Sequence, residues 1–172
     1  MKFIDPQHDR WQLAAGADAG EVPLPHPTPA AYRLLTPAQW QAVHSGWPAA
    51  LPVGLRLPND FEVESIEAEL PRLALIALQF PKWTDGRAYS QARLLRARLR
   101  YAGELRATGE VLVDMLPLLQ RTGFDAVELR PDQSLDSAQR ALRFFAGHYQ
   151  GDVVEPRPLY RRPAGQGARP LS

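Results

Sequence analysis

The sequence predicts an α/β protein with a small parallel sheet built from alternating strand-helix units, a βαβαβα core on which an N-terminal arm and a helix pack. Three observations predict it. Residues 73–80, Leu-Ala-Leu-Ile-Ala-Leu-Gln-Phe, form a near-continuous apolar run of strand length, the pattern of a parallel strand buried on both faces. From residue 61 onward the chain reads helix, strand, helix, strand, helix, strand, helix, and such alternation calls for parallel strands joined by crossover helices. The 172 residues, 45% of them hydrophobic, supply one good core but fall short of the roughly 250 residues of a full β/α barrel. A small flavodoxin-like or Rossmann-like sheet and a fraction of a barrel both satisfy these constraints. The expected division is an irregular arm over 1–34, a single α/β domain over 35–150 and an extended or disordered tail over 151–172.

In the arm, Pro23, Pro25, Pro27 and Pro29 alternate with small or polar residues, which favours extended chain and defeats a helix. Short strands fit near Phe3-Ile4 and around Trp11-Gln12-Leu13. Thr36 can cap a helix with Pro37 at its first position, and Trp40, Val43 and Trp47 recur at helical spacing until Gly46 and Pro48 end it. Gly54-Leu55-Arg56-Leu57 reads as a brief strand. Asn59-Asp60 can cap a helix over 61–70 whose inner face is Val63, Ile66 and Leu70, with Glu62, Glu64, Glu67 and Glu69 outward and Pro71 closing it. After the strand at 73–80 comes a helix over 90–101, with Ala92, Leu94, Leu95 and Leu99 inward. Residues 103–109 read as turn, short strand, turn. Asp114 can cap the next helix, with Pro117 in its first turn, Met115, Leu116 and Leu119 inward, and Thr122-Gly123 as the stop. Residues 124–129 alternate as a half-buried strand. Ser134 then opens a last helix to Tyr149 that carries Ala138, Leu142 and Phe145 on one side.

Twenty Lys+Arg against nineteen Asp+Glu leave a formal charge of +1, so no global field draws the protein to nucleic acid or to a membrane surface. Anion binding must be local, through arginine forks that suit carboxylate, phosphate and sulfur oxyanions. The absence of cysteine excludes disulfides, thiolate zinc sites, cysteine-ligated iron–sulfur clusters and cysteine nucleophiles within this chain. His8, His26, His44 and His148 lie far apart, and no pair has a metal-ligand spacing. Neither a glycine-rich dinucleotide fingerprint, nor a phosphate loop, nor a serine-hydrolase elbow is present, so any cofactor is unknown. Asp5, His8 and Asp9 stand where a signal peptide needs apolar residues, and no apolar run approaches the roughly 18 residues of a membrane span. The expectation is a cytoplasmic protein.

In parallel α/β sheets ligands collect beyond the carboxyl ends of the strands. The octet Phe80-Pro81-Lys82-Trp83-Thr84-Asp85-Gly86-Arg87 falls there, directly after the apolar strand. Lys82, Thr84, Asp85, Arg87 and Ser90 are candidates for holding a small anion or a partner's polar group, with the following helix N-terminus adding its dipole. The competing possibility is local: Asp85 and Arg87 pair with each other, and Thr84 or Ser90 caps the helix. Arg93, Arg96 and Arg100 share a helix face and form a cationic stripe. Arg106, on a short strand, can point at the same edge as Arg87, with Glu104, Glu110 and Asp114 as partners.

The octet, continued by Tyr89-Ser90-Gln91-Ala92-Arg93-Leu94-Leu95-Arg96, by Gly103-Glu104-Leu105-Arg106-Ala107 and by Arg121-Thr122-Gly123-Phe124-Asp125, closely resembles bacterial domain-of-unknown-function family 934. The likeness spans roughly residues 35–150. Trp83 replaces the more usual Phe, and Thr122 stands where many relatives carry Cys, which removes the one thiol that could serve redox chemistry. The resemblance implies a place in assimilatory sulfite reduction, because relatives tend to be encoded beside sulfite or nitrite reductase hemoproteins. It implies an accessory protein in which Asp85, Arg87, Arg93 and Arg106 dock the sulfite reductase hemoprotein or hold a small oxyanion. The alternatives are a small oxidoreductase binding flavin or another phosphorylated cofactor at that edge, and a scaffold without ligand.

Overall fold

The run at 73–80 forms the central strand of a sheet that gathers every other strand around it. The computed structural model describes residues 1–16, 24–144, 150–153 and 155–161. Its strands are β1 (Lys2–Phe3), β2 (Gln12–Leu13), β3 (Arg33–Leu35), β4 (Val53–Leu57), β5 (Leu73–Phe80), β6 (Glu104–Gly109) and β7 (Ala126–Val127). They make one curled seven-stranded sheet in the order β1-β7-β6-β5-β4-β3-β2, with every pairing parallel. From β2 to β7 the spatial order is the chain order, so the sheet follows the barrel-like course rather than the doubly wound one. β1 and β2, from the segment read as an arm, become its two edges. β3 was not visible in the sequence pattern, since only three residues pair before the helix cap at Thr36.

The helices pack on one face. Leu55, Leu57, Ile76, Leu78, Phe80, Leu105, Ala107 and Val127 alternate along β4 to β7 onto that face and form one core with the helices. α1 (Pro37–Val43) starts as its sequence requires: Thr36 Oγ1 accepts from Gln39 N at 3.2 Å while Gln39 Oε1 accepts from Thr36 N at 3.0 Å. A 3₁₀ turn, His44–Gly46, completes it, and Trp40 and Trp47 are each 3% exposed. The other face carries a smaller cluster of Trp11, Leu34, Leu75 and Ala77 beneath the N-terminal segment.

Several elements differ from expectation for local reasons. Residues Val63–Arg72 form 3₁₀ turns rather than an α-helix, broken at Ile66 (φ −111°, ψ 19°) and containing Pro71, although Val63, Ile66 and Leu70 are buried as the pattern requires. The helix placed over 90–101 begins earlier, as α2 (Arg87–Arg93), and continues as a π turn, Leu94–Arg98, closed by Leu99 N donating to Leu94 O at 3.0 Å. Asp114 does not cap; it lies in a 3₁₀ turn, Val113–Met115, that leads into α3 (Leu116–Thr122). α4 spans Leu135–Phe144, with Ala138 fully buried. The expected continuation to Tyr149, with Phe145 and His148, lies outside the described residues, as do Pro23 and the tail from residue 162.

Two glycines are fixed by close approach. A Cβ on Gly54 would lie 2.8 Å from Leu75 O and 2.9 Å from Leu34 Cδ2, where the β4–β5 register shifts. Gly109 has φ +93°, and a Cβ there would sit 2.5 Å from Phe80 O, the carbonyl that takes Glu110 N as the chain leaves β6.

Candidate functional site

The octet is a fixed loop with an exposed rim. Phe80 is fully buried and meets Tyr89 edge-on at 5.1 Å and Phe124 at 6.0 Å, so the loop's root is clamped from α2 and from the turn that leads into β7. Burial pushes the Tyr89 hydroxyl up to about 12. Asp85 N donates to Lys82 O at 3.0 Å, closing the turn. Buried Gln91 holds α2 against the preceding loop by donating from Nε2 to Pro58 O and Phe61 O, both at 2.9 Å.

Asp85 and Arg87 meet each other. Arg87 Nη2 donates to Asp85 Oδ2 at 2.7 Å, Nε donates to Oδ1 at 3.0 Å, and the Arg87 amide donates to the same Oδ1 at 3.3 Å. These bonds hold the Asp85 carboxyl well below the usual carboxylate range. Thr84 and Ser90 are exposed, and α2 has no side-chain cap, because it starts at Arg87 with Gly86 as its cap residue. With seven residues and no cap, α2 offers little dipole to an anion. Lys82 and Arg93 are exposed, and Trp83 is 58% exposed. Arg87→Ala is expected to leave the thermal unfolding midpoint nearly unchanged, since an exposed pair gains little against solvent screening. A loss of several degrees would instead make the pair a structural staple.

The cationic stripe does not form as spaced. Arg96 turns inward and donates to Gly123 O at 3.0 Å and Gly103 O at 2.9 Å, to Tyr101 O, and to the Asp125 carboxylate, so it ties together the loops that precede β6 and β7. Thr122 donates its hydroxyl to Leu118 O at 2.9 Å at the end of α3.

Arg106 lies on the opposite side of the sheet from the helices, 3% exposed, with Ala77 as its Cα partner on β5. Its Nε and Nη2 donate to Glu104 Oε1 at 3.2 and 2.9 Å, and its Nη1 donates to Asp9 from the N-terminal segment. Burial pushes Glu104 up, but bonds from Arg106 and from Lys2 Nζ at 3.0 Å outweigh it and its pKa falls. Of the partners expected for Arg106, Glu104 is present. Arg106 and the Asp85–Arg87 pair therefore occupy separate sites.

Around Arg106 the curl of the sheet and residues 6–13 enclose a cavity of about 590 Å³ at the carboxyl ends of the strands. Its polar lining, Arg56, Gln79, Thr108 and Glu128, escaped the sequence reading. The available signal was a polar residue following an apolar one in β4, β5 and β6 and just beyond β7: Leu55-Arg56, Leu78-Gln79, Ala107-Thr108 and Val127-Glu128. Among the described residues no group of three or more His, Asp or Glu side chains could hold a metal ion, and no helix is long and apolar enough to cross a membrane.

The fold and site define a single-sheet parallel α/β protein with helices on one face, a polar cavity on the other and a loop at the carboxyl edge that is clamped at its root and exposed at its rim. The chain belongs to the family described as "Bacterial protein of unknown function (DUF934)", whose model matches residues 54–160. No curated protein matches it. Among solved structures it is similar, at 16% identity and a TM-score of 0.24, to a cube-shaped, highly porous protein cage designed by fusing symmetric oligomeric domains. That match covers 67% of this chain, which spans 61% of the cage chain's length.

Proposed function

We propose that the protein is an accessory component of assimilatory sulfite reduction that docks the sulfite reductase hemoprotein through the octet loop. The observation that carries the reading is Trp83, 58% exposed on a loop whose root, Phe80, is fully buried. Half-exposed tryptophans are enriched among interface anchors, and a loop fixed at its root loses less conformational entropy on binding than a free one. Lys82 and the closed Asp85–Arg87 pair are its polar neighbours on the same loop, and exposed Arg93 lies farther along at the end of α2. Arg87 is already matched to Asp85 through both Nε and Nη2, which favours docking over capture of a free oxyanion at this loop. The partner comes from the family resemblance, and the surface comes from the geometry.

Co-purification tests the reading: the tagged protein is expected to retain the hemoprotein from cells grown on sulfate. A deletion strain is expected to reduce sulfite more slowly. No retention together with unaltered sulfite reduction would end the proposal.

A further inference from the structure

Residues 5–10 join the two edge strands β1 and β2 and run along the cavity, with Pro6, Gln7 and Asp9 in its lining. Both ends of the segment are fixed to the sheet: Ile4 N donates to Val127 O at 2.8 Å, and Gln12 N donates to Tyr32 O at 3.0 Å. Between those points the segment is bonded mainly to itself. Gln7 N donates to Asp5 Oδ1 at 3.0 Å, His8 N donates to Asp5 O at 3.1 Å, and the His8 ring meets Asp5 Oδ2 at 2.7 Å. Among the described residues, one hydrogen bond ties residues 5–10 to the sheet, that of Arg106 Nη1 to the Asp9 carboxylate. The Arg10 guanidinium adds a cation–π contact, 4.5 Å from the Tyr32 ring centroid. Asp5 to His8 and Arg10 are exposed, so little buried surface opposes lifting of the segment.

A strap that lifted alone would strip a buried arginine of one of its two carboxylates, which is costly in a region of low dielectric. The sheet supplies a replacement. Arg106 and Ala126 are Cα partners, and Glu128 continues the β7 ladder by donating its amide to Ala107 O at 2.9 Å. Glu128 therefore projects from the same face as Arg106, one strand over and two residues on. A strand spacing of about 4.8 Å and a rise of about 6.6 Å place the two Cα atoms about 8 Å apart, a diagonal that long side chains bridge. The register partners of Arg106 on either side are Ala77 and Ala126, small enough to let the guanidinium swing. Glu128 lines the same cavity, is half-buried and makes no side-chain hydrogen bond among the described residues. Burial raises its pKa, the charge of Arg106 opposes the rise and that of Asp9 adds to it, so both members of the latch act on this carboxyl.

We propose that residues 5–10 form a strap that controls access to the cavity, latched by Asp9 on Arg106, and that Glu128 takes over Arg106 when the strap lifts. Glu104 keeps its own bonds to Arg106 in both states and holds the guanidinium in place. The device is independent of docking at the octet, so the failure of either leaves the other intact.

The chain has no cysteine, so Thr108→Cys places a single thiol in the cavity wall, at a position whose Oγ1 is buried while the strap is closed. The rate at which iodoacetamide labels it under native conditions reads the open population. Adding Asp9→Asn is expected to speed labelling by about ten-fold, because the closed state loses a charge-assisted hydrogen bond. Adding Glu128→Gln is expected to slow it by about three-fold or more, because the open state loses its replacement carboxylate. Mere loosening of the structure would speed labelling in both, and that result or any other pairing of the two responses would overturn the proposal. If Thr108→Cys fails to fold, unfolding temperatures of the cysteine-free variants decide. The double variant Asp9→Asn, Glu128→Gln is then expected to lose at least about 3 °C more than the two single losses together, since Glu128 can no longer stand in for Asp9. Additive losses would overturn it.

Discussion

Arg106→Ala is expected to cost about 3–5 kcal/mol of folding stability, measured by urea unfolding. The side chain is 4% exposed and answers two carboxylates, Asp9 at 12% and Glu104 at 19% side-chain exposure. Removing it leaves those negative charges without their counter-charge in a region of low dielectric, and the desolvation already incurred is no longer offset. The same change removes the ionic tie between Asp9 and β6, while Gln12–Leu13 stay paired with β3. The double variant Arg106→Met, Asp9→Leu is expected to recover part of the loss, since it removes one stranded charge along with the cation. An acid limb should accompany the cluster. Glu104 has a lowered folded pKa, so its stabilisation is complete above the ordinary carboxylate range and is lost as pH falls through the folded value. The Arg106→Ala variant should lack much of that limb. A loss below about 1 kcal/mol would mean that the cluster is solvated and behaves as a surface network.

Phe80→Ala is expected to cost about 3–5 kcal/mol and to loosen the octet selectively. The ring is fully buried at the end of β5 and is held by Tyr89 at 5.1 Å and Phe124 at 6.0 Å, so truncation opens a void that three elements border. Amide hydrogen exchange at residues 81–87 should accelerate more than exchange in β5 and β6, because the loop's root is lost while the central ladder stays paired. Uniform acceleration over the whole sheet would show that Phe80 serves the core as a whole and gives the loop no separate support.

What could be read from the sequence was local. Thr36-Pro37-x-Gln39 specifies a capped helix within four residues, and the apolar run 73–80 specifies a buried strand without reference to its neighbours. Alternation of the two patterns then yields the α/β class. The less legible features depend on distant partners. The short strands expected near Phe3-Ile4 and at Trp11-Gln12-Leu13 form as β1 and β2, but their places at the two edges of the sheet depend on distant partners, Ala126 and Val127 for β1 and Arg33 and Leu34 for β2. The spacing of Val63, Ile66 and Leu70 suits a 3₁₀ course as well as an α-helical one over ten residues, so the pattern names the buried face without naming the helix type. Arg93, Arg96 and Arg100 look equivalent in the sequence until the π turn and the carbonyls of Tyr101, Gly103 and Gly123 single out Arg96.

The candidate sites divide along the same line. The octet was conspicuous because its residues are contiguous, and the pairing of Asp85 with Arg87 follows from two-residue spacing. The cavity lining is spread over β4, β5, β6 and the residue just beyond β7, as polar side chains set among apolar ones. Only the curl of the sheet brings Arg56, Gln79, Thr108 and Glu128 together.

The central functional claim is docking through Trp83, and the affinity of the purified protein for the sulfite reductase hemoprotein tests it most directly. The account predicts measurable one-to-one binding that Trp83→Ala weakens by about 30-fold or more, as truncation of a tryptophan anchor worth about 2 kcal/mol requires, with an unchanged unfolding temperature. Absence of binding by the wild-type chain, or equal affinity of the folded Trp83→Ala variant, would contradict it.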